Sequence, residues 1–196
     1  MGGEVEDEVK ACQMAAQMST RQGHLAEGIR FLTRCLELSE AKDVKFLKFE
    51  HFDKGSALAE WSLSLAQCEY AFGRVEKTRS ALLNSLKWLQ ISVNEKLSLN
   101  LAAGTKDLNK IFASLAKPLF MNSPGKKISV KSDKLNSIRV KTVGFLFILS
   151  MLDMDEESTI MYGVNLANIL LDLKSEQGTY AAVLVCSLLR HNASGM

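Results

Sequence analysis

The chain has 196 residues, of which 47% are hydrophobic and 23% charged, and its formal net charge is +2. This length suits one domain or one compact array of helices with a sizeable core. The small net charge excludes a global field that would recruit nucleic acid or anionic membranes. With only two prolines and twelve glycines, the composition favours an all-α protein.

Apolar residues recur at helical spacing through the first 91 residues, in two pairs of segments. The predicted helices are 4–22, about 25–40, 56–72 and about 75–91. Gly23 and Gly73 follow the first and the third of them, where glycine commonly adopts the left-handed conformation that ends a helix. Between the pairs, residues 41–55 fit an extended helix, a loop or a strand, because helical and alternating patterns overlap there.

The rest of the chain is predicted to be helical around one basic linker. A fifth helix is expected over roughly 94–116, and the linker over 117–137 contains both prolines. Alternation within this linker leaves a small β-hairpin as the less favoured alternative. Asp153 and Glu156 have the spacing of a capping box. The remaining helices, which bring the total to about eight, are predicted at 138–152, 155–173 and 178–190.

The cysteines and the apolar segments bear on the compartment. Cys12, Cys35, Cys68 and Cys186 have apolar flanks and form no C-x-x-C pair, which is typical of buried thiols in a reducing compartment. The acidic, polar start predicts no secretory signal. The apolar run at 143–152 is too short to cross a bilayer. We therefore expect a location in the cytoplasm, the nucleus or both, without a membrane.

Small residues recur at the same distances from Gly23 and Gly73. An alanine stands seven residues before each glycine, a glycine or threonine five after it, and a cysteine or serine twelve after it. Antiparallel helices joined by a tight turn approach most closely where their side chains are small. The spacing therefore predicts a repeated helical hairpin that stacks on its neighbours. The matched pairs are Ala16 and Ala66, Gly28 and Thr78, and Cys35 and Ser85.

This pattern resembles the tetratricopeptide repeat (TPR), which keeps a small residue in its first helix, a turn glycine and two small residues in its second helix. The resemblance implies antiparallel hairpins stacked as a short right-handed superhelix, a TPR-like α-solenoid. It assigns residues 1–116 to the hairpins, with copies at 4–40 and 56–91, and residues 138–196 to helices that pack on the array.

The sequence also departs from the family. Its copies lie 50 residues apart, against about 34 in the family, and the usual aromatic residue of the first helix is missing. A generic helical bundle is the alternative. No third copy is predicted, because matching small residues are lacking around Gly104, Gly144, Gly163 and Gly178.

Patterns of catalytic or metal-binding residues are not found in the sequence. It contains no G-x-S-x-G, Walker loop, H-E-x-x-H or G-x-G-x-x-G. The carboxylates at 153–157 precede a helix, so capping explains them better than acid–base chemistry. His24, His51 and His191 are too scattered for metal-ligand spacing. We expect a protein that is not an enzyme, with no cofactor and no metal.

In TPR-like arrays the first helices line a concave surface that holds a peptide or a helix. The resemblance therefore implies a protein–protein interaction scaffold or adaptor. The apolar helices predicted at 138–152 and 178–190 favour, in addition, an obligate partner in a larger multi-subunit complex. A solvated helix face is the plainer interpretation, although Leu63 and Tyr70 favour binding because they would otherwise be exposed. The implied partner-binding residues are Lys10, Gln13, Gln17, Thr20 and Arg21 in the first copy, and Glu60, Leu63, Gln67, Tyr70 and Ala71 in the second.

An alternative surface is the segment 117–141, which carries seven basic residues and one acidic residue. Its basic patch, Lys126, Lys127 and Lys131, fits phosphates or an acidic partner, and so a nucleic-acid- or chromatin-associated subunit. A solvated loop is the plainer interpretation. Within the segment, "SPGK" matches the pattern of proline-directed kinases, which makes Ser123 a possible phosphorylation site.

Overall fold

A computed structural model describes residues 2–40, 54–91, 130–173 and 176–194. These residues are all-helical, without strands, as the composition predicts. They fall into two compact units, residues 1–91 with α1–α4 and residues 92–196 with α5–α7. The helices are α1 Gly2–Arg21, α2 Leu25–Glu40, α3 Lys54–Ala71, α4 Val75–Trp88, α5 Val130–Leu152, α6 Glu156–Asp172 and α7 Glu176–Ser194.

In the first unit, consecutive helices pack on one another, α1 on α2, α2 on α3 and α3 on α4. One apolar cluster joins the first three helices, so the two hairpins share a core and are not independent. Its buried members are Val9, Ala16, Leu32, Cys35, Ala57, Leu58, Trp61 and Cys68.

Both hairpins of this unit turn through a glycine in the left-handed region. Gly23 has a φ of +80° and Gly73 a φ of +71°, which confirms the predicted role of these residues. The backbone N–H after each glycine donates to a carbonyl of the preceding helix, from His24 to Ser19 at 2.8 Å and from Arg74 to Glu69 at 3.0 Å.

The second unit stacks α5 on α6 and α6 on α7. Helix α6 is capped by Asp155, whose Oδ1 accepts from the backbone N–H of Ser158 at 3.1 Å. The predicted capping box of Asp153 and Glu156 is therefore wrong. The reason is the left-handed turn at Met154, with a φ of 56°, which moves the capping residue two positions along the chain, from Asp153 to Asp155.

Helix α5 begins at Val130, so the predicted linker is wrong over 130–137, and the β-hairpin alternative is wrong over 130–141. Leu135 is half-buried and stands three residues before the buried Ile138, so the apolar stripe of the helix continues N-terminal of its predicted start at 138. The predicted helix at 94–116, the segment 41–53 and the linker residues 117–129 lie outside the described residues.

By length and composition alone, one stretch of the described residues, Lys134–Leu152, is long and apolar enough to cross a membrane. This stretch is nearly twice as long as the apolar run seen in the sequence, because the helix extends toward its N-terminus. It packs against α6, and 39% of it is buried within the structure. Core helices that are mostly buried meet the same criterion of length and composition.

Candidate partner-binding face

In both hairpins of the first unit, one buried hydrogen bond joins the second helix to the corresponding position of the first helix. The Cys35 thiol of α2 donates to the Val9 carbonyl oxygen of α1 at 3.7 Å. The Ser85 hydroxyl of α4 donates to the Ala59 carbonyl oxygen of α3 at 2.9 Å. Each donor stands twelve residues after its turn glycine, and each acceptor fourteen residues before it. First and second helices therefore face each other in the same way in both hairpins.

The other small residues also lie where helices meet. Ala16 and Ala66 are buried, and so are Gly28 and Thr78. A Cβ atom added to Gly28 would lie 2.9 Å from Cγ2 of Thr20 on α1 and 3.8 Å from Sγ of Cys68 on α3. Gly28 is thus small because α1 and α3 both approach it.

The second unit contains a third turn of the same kind, centred on Met154. The Asp155 N–H donates to the Ser150 carbonyl at 3.0 Å, as His24 and Arg74 do at the glycine turns. The Thr159 hydroxyl donates to the Asp155 carbonyl at 2.7 Å, and Thr78 makes the corresponding bond to Arg74 at 2.9 Å. A search for repeats centred on glycine misses this turn, because its left-handed residue is a methionine.

Around this third turn, a large side chain stands where the other two hairpins have a small one, and a glycine stands where they have a large one. Phe147 stands where the other hairpins have Ala16 and Ala66, seven residues before the turn. Gly163 stands where they have leucine, nine residues after it. A Cβ atom on Gly163 would lie 3.0 Å from Cε2 of Phe147 and 2.9 Å from both δ-methyl groups of Leu189. The phenylalanine of one helix thus occupies the space left by the glycine of the next.

On α1, three of the five implied partner-binding residues are exposed: Lys10, Gln17 and Arg21. Gln13 is half-buried. Thr20 is also half-buried, its hydroxyl donates to the Ala16 carbonyl at 2.7 Å, and its methyl group faces Gly28. Thr20 therefore belongs mainly to the contact between α1 and α2.

On α3, Gln67, Tyr70 and Ala71 are exposed and Glu60 is half-buried. Leu63 is only 5% exposed. The expectation that Leu63 is a surface residue is therefore wrong. Because α3 packs against both α2 and α4, it leaves a narrower exposed strip than an isolated hairpin would.

Two exposed methionines on α1, beside the implied binding residue Gln17, were not predicted. Met14 is 65% exposed and Met18 60% exposed, one helical turn apart on α1 and adjacent to Gln17. An alignment of the two sequence copies indicates Met18 as an apolar position. Met18 aligns with Cys68, which is 4% exposed, so the same register position has an apolar residue in both surroundings.

A shallow groove of about 600 Å³ lies between the two turns of the first unit, formed by residues 23–27 and Phe72. The Arg74 guanidinium carbon lies 5.0 Å from the centre of the Phe72 ring. Arg74 also pairs with the buried carboxylate of Glu69, at 3.2 Å. These contacts hold an exposed aromatic ring at the end of the hairpins.

The basic surface is described only in part. Ser123, Lys126 and Lys127 lie outside the described residues. Lys131 belongs to the first turn of α5. Lys134 and Lys141 are exposed on α5.

All four cysteines are free thiols. Burial, with a contribution from Cys12, raises the pKa of Cys35 to about 12. Burial likewise raises the pKa of Cys68 and Cys186. Among the described residues, no group of three or more His, Cys, Asp or Glu side chains could hold a metal ion.

Comparison with protein-family models, with curated proteins and with solved structures finds no match to this chain. The architecture that the structure supports is all-helical and repeat-like.

Proposed function

We propose that the protein is a non-enzymatic scaffold or adaptor subunit, which binds a peptide or helical segment of a partner along α1 and α3. One observation carries the proposal, the shared register of the two hairpins. Because Cys35 and Ser85 make corresponding bonds to the first helices, Gln17 and Gln67 lie at corresponding exposed positions. A face that repeats in this way suits one extended partner segment.

The chemistry of the face suggests the kind of segment. On α1, Met14 and Met18 stand beside Lys10, Gln17 and Arg21. Methionine adapts to irregular apolar partners, and the two basic side chains favour nearby acidic groups. Tyr70, on α3, offers an aromatic surface with a polar tip. An amphipathic segment with acidic and apolar residues fits this set, and a TPR-like groove in the cytoplasm or nucleus is the setting that we propose.

Photo-crosslinking from defined positions tests the proposal. The full chain would be expressed in cells with a photoreactive amino acid at Gln17 or Gln67, and in control variants at Thr33 or Asn84, which are exposed on α2 and α4. We expect one partner polypeptide to crosslink to positions 17 and 67, through one continuous peptide, and not to the controls. Equal crosslinking at all four positions would contradict the proposed face.

The alternative, binding of nucleic acid through 117–141, has one supporting observation within the described residues. Lys134 and Lys141 are two helical turns apart on α5 and both exposed, so they lie on one side of the helix. Binding of a random-sequence oligonucleotide should then weaken steeply with salt. It should disappear when Lys126, Lys127 and Lys131 are all changed to Glu. A partner peptide that binds α1 and α3 should retain its affinity in that variant.

A further inference from the structure

We propose that Cys12 and Cys35 form a redox pair, whose disulfide crosslinks α1 to α2 under oxidising conditions. Cys35 extends from α2 to the backbone of α1, where its Sγ lies 3.7 Å from the Val9 carbonyl oxygen. Cys12 stands three residues after Val9. Because side chains on a helix tilt toward its N-terminus, Cys12 leans toward the turn that Cys35 reaches.

Further contacts of the two thiols agree with this placement. Cys12 packs against the apolar cluster that contains Cys35, and it is near enough to the Cys35 thiol to contribute to the raised pKa of that thiol. Their exposure differs. Cys12 is partly exposed, so a solvent oxidant can reach it, whereas Cys35 is fully buried. This difference assigns Cys12 as the thiol that is oxidised first and Cys35 as the resolving thiol.

With a peroxide as the oxidant, the chemistry has two steps. The Cys12 sulfur attacks the peroxide, an S–O bond forms as the O–O bond breaks, and Cys12 becomes a sulfenic acid with release of water. Cys35 then attacks the Cys12 sulfur, an S–S bond forms, and the S–O bond breaks with release of a second water. Two thiols are oxidised and one hydrogen peroxide is reduced to two waters. A thiol reductant reverses the crosslink.

The second step should be the slow one. The attacking species is the thiolate, and burial, the largest cause of the raised pKa of Cys35, leaves little thiolate at neutral pH. The sulfenic acid on Cys12 should therefore persist long enough to be trapped by a 1,3-diketone reagent. The crosslink would tie α1 to α2 and restrict the unfolded chain, so we expect oxidation to raise the Tm.

Peptide mapping of the full chain tests the pair directly. The reduced protein is treated with hydrogen peroxide, its remaining thiols are blocked, and it is digested with trypsin without reduction. Cleavage after Lys10, Arg21, Arg34 and Lys42 releases residues 11–21 with Cys12 and residues 35–42 with Cys35. We expect these two peptides to be joined, with the loss of two hydrogens, and to separate on addition of dithiothreitol.

Three variants make the result decisive. Cys12→Ser should abolish the crosslink. Cys35→Ser should abolish it but leave a trappable sulfenic acid on Cys12, and serine suits this position because Ser85 occupies the corresponding one. Cys68→Ser, the control, should retain the crosslink. A folded wild-type chain that yields only sulfinic acid on Cys12, no oxidation, or a different cysteine pair would overturn the proposal. None of these outcomes depends on the proposed partner.

Discussion

The first helices of the two hairpins, α1 and α3, have the same register but opposite surroundings. Four residues of α3 belong to the apolar cluster of the first unit, among them Leu58, which is fully buried. The four residues at the corresponding positions of α1 are all exposed. The matched pairs, in the order α3 and α1, are Ala57 and Asp7, Leu58 and Glu8, Trp61 and Ala11, and Cys68 and Met18.

This difference separates two kinds of information in the sequence. The small residues around Gly23 and Gly73 specify how a hairpin closes, and the corresponding positions are small in both copies. The outer positions specify whether a helix lies inside the unit or at its side. Glu8 replaces Leu58 and bonds to Arg34 at 2.8 Å instead of entering a core. Met18, in contrast, keeps a large apolar side chain at an exposed position.

The strongest test of this difference between α1 and α3 is truncation of Leu58, for which we expect the largest loss of stability. Leu58→Ala should lower the free energy of unfolding by about 2–5 kcal/mol, since it removes a fully buried side chain and leaves a cavity. The matched control, Glu8→Ala, alters an exposed ion pair and should leave the stability nearly unchanged. Urea denaturation followed by circular dichroism measures both. Equal losses would show that α1 is as buried as α3.

The second prediction concerns the exchanged side-chain sizes in the second unit. Gly163→Ala should cost about 1–3 kcal/mol of unfolding free energy through overpacking, because the added methyl group would lie 2.9 Å from Leu189 and 3.0 Å from Phe147. Gly144→Ala is the matched control on α5. Its Cβ would meet Leu166 at an ordinary 3.9 Å, so the gain in helix propensity should make it neutral or stabilising.

Thermal denaturation of the two variants, each compared with the wild-type chain, decides between them. If Gly144→Ala proved the more destabilising of the two, the close contact of Gly163 with Phe147 and Leu189 would not be the reason for the glycine.

Sequence patterns predicted the local features of the fold well. The helices α1 to α4 begin and end within about three residues of their predicted limits, and the glycine turns follow from residue chemistry alone. The contact positions of Ala16, Ala66 and Ser85 also follow, because two helices joined by a tight turn can approach closely only where small side chains stand at fixed distances from that turn.

What the sequence did not predict depends on neighbours along the fold. Leu63 was expected on a surface, but it is buried because α3 has a helix on either side. Met154 was not recognised as a turn, because a non-glycine residue adopts a positive φ only where surrounding hydrogen bonds hold it there. Asp155 was passed over as a cap in favour of Asp153, since the choice depends on that same turn.

The third prediction tests how far the glycine and methionine turns are alike. Gly73→Ala should cost about 1–2 kcal/mol, because its φ of +71° disfavours a side chain although nothing lies within 4 Å of the added Cβ. Met154→Gly should shift stability in the opposite direction, by up to about 1 kcal/mol, since its φ of 56° then carries no penalty. Chemical denaturation monitors both variants. A loss of stability in Met154→Gly would show that the methionine side chain contributes packing at this turn.

The smallest expected effect concerns the bond that the two hairpins share. Ser85→Ala removes the donor to the Ala59 carbonyl oxygen and should lower the free energy of unfolding by about 1 kcal/mol. Ser85→Cys installs the residue that the first hairpin has at this position, and it should lose less, because a thiol still donates weakly. Hydrogen exchange of the α3 and α4 amides would locate the change. Both substitutions could leave the free energy of unfolding unchanged while Leu58→Ala lowers it. Apolar packing would then hold the hairpins in register, and the shared hydrogen bond would be a result of that register without contributing to it.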